Sequence, residues 1–168
     1  MNNALTVTDI SGARIEHSSV IVNFVAMVKN QLKNTLCRVF SDNVQYKWTL
    51  GDMEHTFIPD ASINCQIKSR KGNSFTNSPQ FVMEVLSPST EKLDRTEKME
   101  TYAAQEIPEY WIVDWENKKV EIYLLDYDNE TPKYYLRETV TEENKEKLRI
   151  ISMSIIKVDF DELFDTDF

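Results

Sequence analysis

Residues 79–86 read Pro79-Gln80-Phe81-Val82-Met83-Glu84-Val85-Leu86, an apolar run on both side-chain parities with one acid in its middle. A strand that is apolar on both faces is a central strand, covered above and below. It implies a sheet with helices packed against it, and Glu84 is chemically out of place there. A buried carboxylate must be paired or metal-bound, because bare desolvation is too costly.

Working outward, Ser87-Pro88-Ser89-Thr90 stops the strand and offers N-caps for a helix over 91–106, which Pro108 ends. Residues 109–115 and 119–125 read as a hairpin around Glu116-Asn117. Residues 134–141 and 148–158 look like later strands, and 160–164 a short closing helical turn. Upstream, Val20, Phe24, Val28, Leu32 and Leu36 recur at helical spacing and predict an amphipathic helix over 16–37. Residues 43–50 and 55–67 are extended candidates, and 68–78 is a polar turn region containing Gly72. The order helix, strands, helix, strands predicts one α/β (α+β) domain over 1–168, a mixed sheet flanked by helices.

Composition bounds the rest. A chain of 168 residues with 41% hydrophobic and 28% charged residues is an ordinary globular chain. The formal charge is -9, whereas nucleic-acid binders usually carry a basic face that neutralises phosphates. An acidic total still permits a local basic surface. Lys68, Arg70 and Lys71 form one small basic cluster, expected to be a solvated turn. Cys37 and Cys65 have no metal-like spacing and read as separate buried thiols in a reducing compartment. The first 15 residues lack a basic n-region and an apolar h-region, and no apolar run is long enough to span a membrane. A cytoplasmic protein with no membrane partner is expected.

The chemistry centres on three residues. Asp60 follows Pro59 in an extended segment, and if its strand neighbours that of Glu84, both carboxylates reach one spot. Two hard oxygen ligands suit Mg²⁺, which keeps several waters and takes one or two carboxylates. Chain length brings Lys98 there as well. The strand rises roughly 13 Å from Glu84 to Pro88, and a helix from Thr90 returns about 12 Å by Lys98. An exposed Asp94–Lys98 pair is the plain alternative, as is a structural ion pair between Glu84 and Lys98.

The segment from Pro79 to Tyr123 resembles the Uma-type family of bacterial restriction-endonuclease-like proteins, in the PD-(D/E)XK nuclease superfamily. The resemblance is carried by Pro59-Asp60, by Glu84 to Thr90 (E-V-L-S-P-S-T), by Asp94-x-x-x-Lys98, by Tyr102, and by Ile107 to Asp114 (I-P-E-Y-W-I-V-D). It implies a restriction-endonuclease-like core and a Mg²⁺ (or Mn²⁺) site held by Asp60, Glu84 and the carbonyl of Val85. The usual lysine position is Leu86, so the lysine comes from the following helix, at Lys98. His17, beside Glu16, Asp94 and Tyr102 are implied as supporting residues. The chain departs from the family at its short N-terminal segment and at Glu106, where a glycine is usual.

The function implied is metal-dependent hydrolysis of DNA phosphodiester bonds, with DNA as partner and a homodimer cutting both strands. A catalytically silent binding or assembly module is the alternative, and an RNA or nucleotide phosphodiesterase a third reading. His55 has no partner at ligand spacing, and Tyr110 and Trp111 are expected to be core.

Overall fold

A computed structural model describes residues 14–167. The helix α1 (Ile15–Gln31) buries Val20, Ile21, Phe24 and Val28. It stops short of the expected residue 37 because Asn34 turns left-handed at φ 64°, and Leu36 ends 79% exposed.

The strands β1 (Arg38–Ser41), β4 (Ala61–Asn64), β7 (Phe81–Val85), β8 (Glu109–Asp114), β9 (Lys119–Asp128) and β10 (Thr131–Val140) form a six-stranded sheet in the order β1-β4-β7-β8-β9-β10. Within this sheet only β7 and β8 pair in parallel among the described residues. All five residues of β7 are buried, so it is the central strand that the sequence predicts. One face carries Phe81, Met83, Val85, Trp111 and Val113 against α1. The other carries Val82, Leu86, Tyr110 and Ile112 with Tyr102 and Ile107.

A second sheet, β3-β2-β6-β5, is built from β2 (Gln45–Leu50), β3 (Met53–Phe57), β5 (Arg70–Lys71) and β6 (Ser74–Phe75). The extended candidate over 55–67 is therefore two strands in two sheets. Pro59 lacks an N–H and cannot sit inside a ladder, and the chain crosses at Ile58-Pro59-Asp60 from the small sheet to the large one.

The second helix also divides. The segment α2 (Glu91–Arg95) breaks at Thr96 (φ -124°, ψ -91°) before α3 (Glu97–Ala104). Its end is a Schellman cap, with Glu106 N–H donating to Ala103 and Ile107 N–H to Tyr102. Glu106 stands there at φ 56°, the left-handed position where a glycine is expected.

Residues 148–158 are not a strand. Their backbone is docked by side chains instead. The buried Glu109 carboxylate accepts the N–H groups of Ile151 (3.1 Å) and Ser152 (2.7 Å), and Gln31 pairs with both the N–H and the carbonyl of Lys157. Ile150, Ile156 and Val158 still reach the core. The last helical turn is α4 (Phe160–Leu163).

Cys37 and Cys65 are joined in a disulfide, contrary to the expectation of separate thiols. The antiparallel β1–β4 register pairs Arg38 with Asn64, so the next residues outward face each other. Among the described residues no helix is long and apolar enough to cross a membrane.

Candidate functional site

The β4–β7 pairing sets Ala61 opposite Met83, which brings Asp60 alongside Glu84 just beyond the end of the ladder. The two interlock. The N–H of Asp60 donates to Oε2 of Glu84 at 3.3 Å, and Oδ2 of Asp60 accepts the N–H of Val85 at 2.8 Å. Within a strand, a residue's N–H and C=O point the same way. The Val85 carbonyl therefore faces the Asp60 side, whereas Leu86 N–H turns toward β8 and bonds Val113.

Glu84 is fully buried. Its Oε1 accepts the Tyr102 hydroxyl at 2.6 Å, and its Oε2 lies 3.1 Å from Lys98 Nζ. Lys98 also contacts Asp94 Oδ1 at 2.7 Å. The antiparallel return of the helix thus levels Lys98 with Glu84, although it is delivered by α3 after the break at Thr96. His17, in the first turn of α1, places Nε2 3.4 Å from Asp60 Oδ2.

The electrostatics follow from burial. Desolvation, reinforced by the Asp60 charge, pushes the Glu84 carboxyl up to about 8, against the pull of Lys98. Burial likewise raises Asp94, opposed by Lys98. For Lys98, burial acts downward but the Glu84 and Asp94 charges outweigh it, so the ammonium is held above its ordinary value. His17 behaves similarly. Burial would lower it, while Asp60 and the Val85 backbone raise it further.

Three carboxylates, Asp60, Glu84 and Asp94, therefore face one lysine and one histidine. That surplus of negative charge, with the reluctance of Glu84 to ionise, is what a divalent cation would relieve. Among the described residues no three His, Cys, Asp or Glu side chains stand at ligand spacing. Two carboxylates and a carbonyl are nonetheless the kind of donor set Mg²⁺ accepts while keeping its waters. The residues fit such an ion.

The structure thus gathers Asp60, Glu84, Val85, Asp94, Lys98, Tyr102 and His17 in one place. His55 lies apart, stacked on Phe57. Trp111 and Tyr110 are core residues with no exposure. The sequence reading missed one contributor: the Tyr110 hydroxyl donates to the Asp94 carbonyl at 2.9 Å and ties α2 to the sheet. A tyrosine rather than a phenylalanine at a fully buried strand position was the available signal.

Residues 6–155 match the Uma2 family, described as "Putative restriction endonuclease". An uncharacterised protein of Synechocystis sp. (strain ATCC 27184 / PCC 6803 / Kazusa) is 30% identical over 115 residues, 68% of this chain and 60% of that protein. The chain thus matches less than two thirds of that relative's length. The crystal structure of a protein from Anabaena variabilis ATCC 29413, titled a putative nuclease belonging to DUF820, superposes with a TM-score of 0.68 at 17% identity. That match covers 92% of this chain and 83% of the other. The fold is the restriction-endonuclease-like one, and the chain belongs to the Uma2 family.

Proposed function

We propose that the protein is a divalent-metal-dependent endonuclease that hydrolyses DNA phosphodiester bonds. The observation that carries this reading is the meeting of the Asp60 and Glu84 carboxylates on neighbouring strands, with Lys98 Nζ 3.1 Å from Glu84. The family description and the nuclease title of the Anabaena structure support it.

Asp60, Glu84 and the Val85 carbonyl would hold Mg²⁺ or Mn²⁺, which when bound lowers the pKa of water and neutralises phosphodiester charge. The acids around Lys98 hold its ammonium above its ordinary pKa, which favours a hydrogen-bonding role over that of the base. Its ammonium orients the attacking water by hydrogen bonding and offsets charge developing on the phosphoryl oxygens. Asp94 fixes the ammonium in place, Tyr102 fixes the rotamer of Glu84, and His17 steadies Asp60. Cutting both strands of a duplex needs two such sites, which a homodimer would supply.

Incubating the protein with plasmid and linear DNA in Mn²⁺ tests the reading, with Asp60→Ala as control. Cleavage that the control lacks is expected, and equal cleavage by both would sink it.

One observation favours a catalytically silent module. Glu84 already has Tyr102, the Asp60 N–H and Lys98 as partners, so it can rest without a metal. Under that reading Mn²⁺ does not bind, and Glu84→Gln stabilises the protein.

A further inference from the structure

The negative charge of the chain is unevenly spread. Residues 17–41 and 61–83 contain no Asp or Glu. With 28 acids in 168 residues, those 48 positions would hold eight on average. They hold instead Lys29, Lys33, Arg38, Lys68, Arg70 and Lys71. The remaining 120 residues therefore carry a net charge of -15.

The fold brings these two windows together at one end. Helix α1 runs away from His17 for about 18 Å before reaching Lys29, at 1.5 Å per residue. Strand β4 runs away from Asp60 for about 13 Å before reaching Asn64. There Arg38 pairs with Asn64, and the Cys37–Cys65 disulfide staples the two windows just before the turn bearing Lys68. All six basic side chains are exposed. None is in a salt bridge among the described residues, whereas Arg95, Lys98, Lys119, Lys133, Lys145 and Lys147 are. Lys29, Lys33 and Arg38 rim a groove of about 400 Å³ floored by Leu32 and Val39.

Lysines near a helix C-terminus complement the helix dipole, which accounts for Lys29 and Lys33. It does not account for Arg38 and the Lys68–Lys71 turn joining them, nor for the exclusion of acids from both windows. The exposed stripe of α1, Ser18, Val22, Ala26 and Lys29, continues to Lys33 and forms an acid-free path back toward His17.

We propose that this end of the molecule, formed by Lys29, Lys33, Arg38, Lys68, Arg70 and Lys71, is a docking surface for the phosphate backbone of duplex DNA. The proposal rests on the nuclease reading for the identity of the polyanion and adds where it is held. Contacts to phosphate position a duplex without reading its sequence. Unpaired exposed cations release counterions on binding.

The test is fluorescence anisotropy with a labelled duplex of about 20 base pairs in EDTA, across a salt series. Two triple variants are compared, Lys29→Gln/Lys33→Gln/Arg38→Gln and Lys68→Gln/Arg70→Gln/Lys71→Gln. The control, Lys92→Gln/Lys118→Gln/Arg137→Gln, removes the same charge elsewhere. Each patch variant should lose about tenfold or more in affinity at about 100 mM salt, and the slope of log K against log salt should fall by about 2 to 3. The control should stay within about threefold. The proposal fails if the control weakens binding as much as the patch variants, or if neither patch variant changes it. It fails equally if the wild type binds anionic phosphatidylserine vesicles but no duplex. Mn²⁺ calorimetry on the same proteins separates the two readings. Loss of DNA binding with Mn²⁺ binding intact supports the surface, and DNA binding through the patch without any Mn²⁺ binding retires only the catalytic reading.

Discussion

The hydroxyl of Tyr102 donates a 2.6 Å hydrogen bond to Oε1 of Glu84, and both residues are fully buried. Such a bond contributes roughly 0.5–1.5 kcal/mol while the Glu84 carboxyl is protonated and roughly 1.5–3 kcal/mol once it is charged. Tyr102→Phe should cost about that much stability and weaken Mn²⁺ binding, since Glu84 then ionises less readily. Chemical denaturation and calorimetry read the two effects separately.

The pH dependence follows from Glu84, raised from its ordinary 4.5 to about 8 by burial and by Asp60. The folded state binds this proton more tightly than the unfolded chain does. Its stabilisation is complete below about pH 4.5 and is lost as pH rises toward 8. Glu84→Gln should flatten the stability profile over that window and exceed the wild type above pH 8, by on the order of a few kcal/mol. Urea melts between pH 5 and 9 (roughly the range of maximal protein stability and one unit above) are the measurement. An unchanged slope in the variant would contradict the assignment.

Lys98 is the ammonium between two buried acids, 3.1 Å from Glu84 and 2.7 Å from Asp94. Lys98→Met leaves both uncompensated and should destabilise by about 3–5 kcal/mol. Adding Asp94→Asn should recover part of that loss. A double-mutant cycle by thermal melting quantifies the coupling, and DNA cleavage should be absent from both variants.

The Cys37–Cys65 disulfide closes a loop with a sequence separation of 28. Loop-closure entropy for that length gives about 3–4 kcal/mol. The Cys37→Ser/Cys65→Ser protein should melt lower by the corresponding amount, and denatured wild type should show no free thiol until reductant is added.

Glu109 has no exposure and accepts N–H groups from Trp111, Ile151 and Ser152. Glu109→Ala leaves the buried Trp111 indole N–H unmet, at about 1–3 kcal/mol before relaxation, and frees the part-buried N–H groups of Ile151 and Ser152. Amide exchange at Ile151 and Ser152 should accelerate well beyond that at β7.

Much of the site was legible because its parts break local rules. Glu84 interrupts a run that is apolar on both parities, and strand rise against helix rise agrees with Lys98, the lysine to which the family resemblance points, being level with it. Asp60 came from the Pro59-Asp60 motif. Where the reading failed, the backbone's partners were distant. Residues 148–158 have the apolar content of a strand, yet their N–H groups go to Glu109 and Gln31 rather than to a neighbouring strand. Apolar periodicity cannot reveal that.

By itself the sequence determined the central strand, the approximate place of the helices and the anomaly of Glu84, because burial and chain length act along the chain; the other candidate-site residues came from the family resemblance. Only the tertiary structure decided what the charge and the cysteines mean. Their partners are set by the antiparallel β1–β4 register, which joins Cys37 to Cys65 and gathers six cations from two acid-free windows. A total of -9 hides that surface, because net charge carries no record of where folding puts each sign.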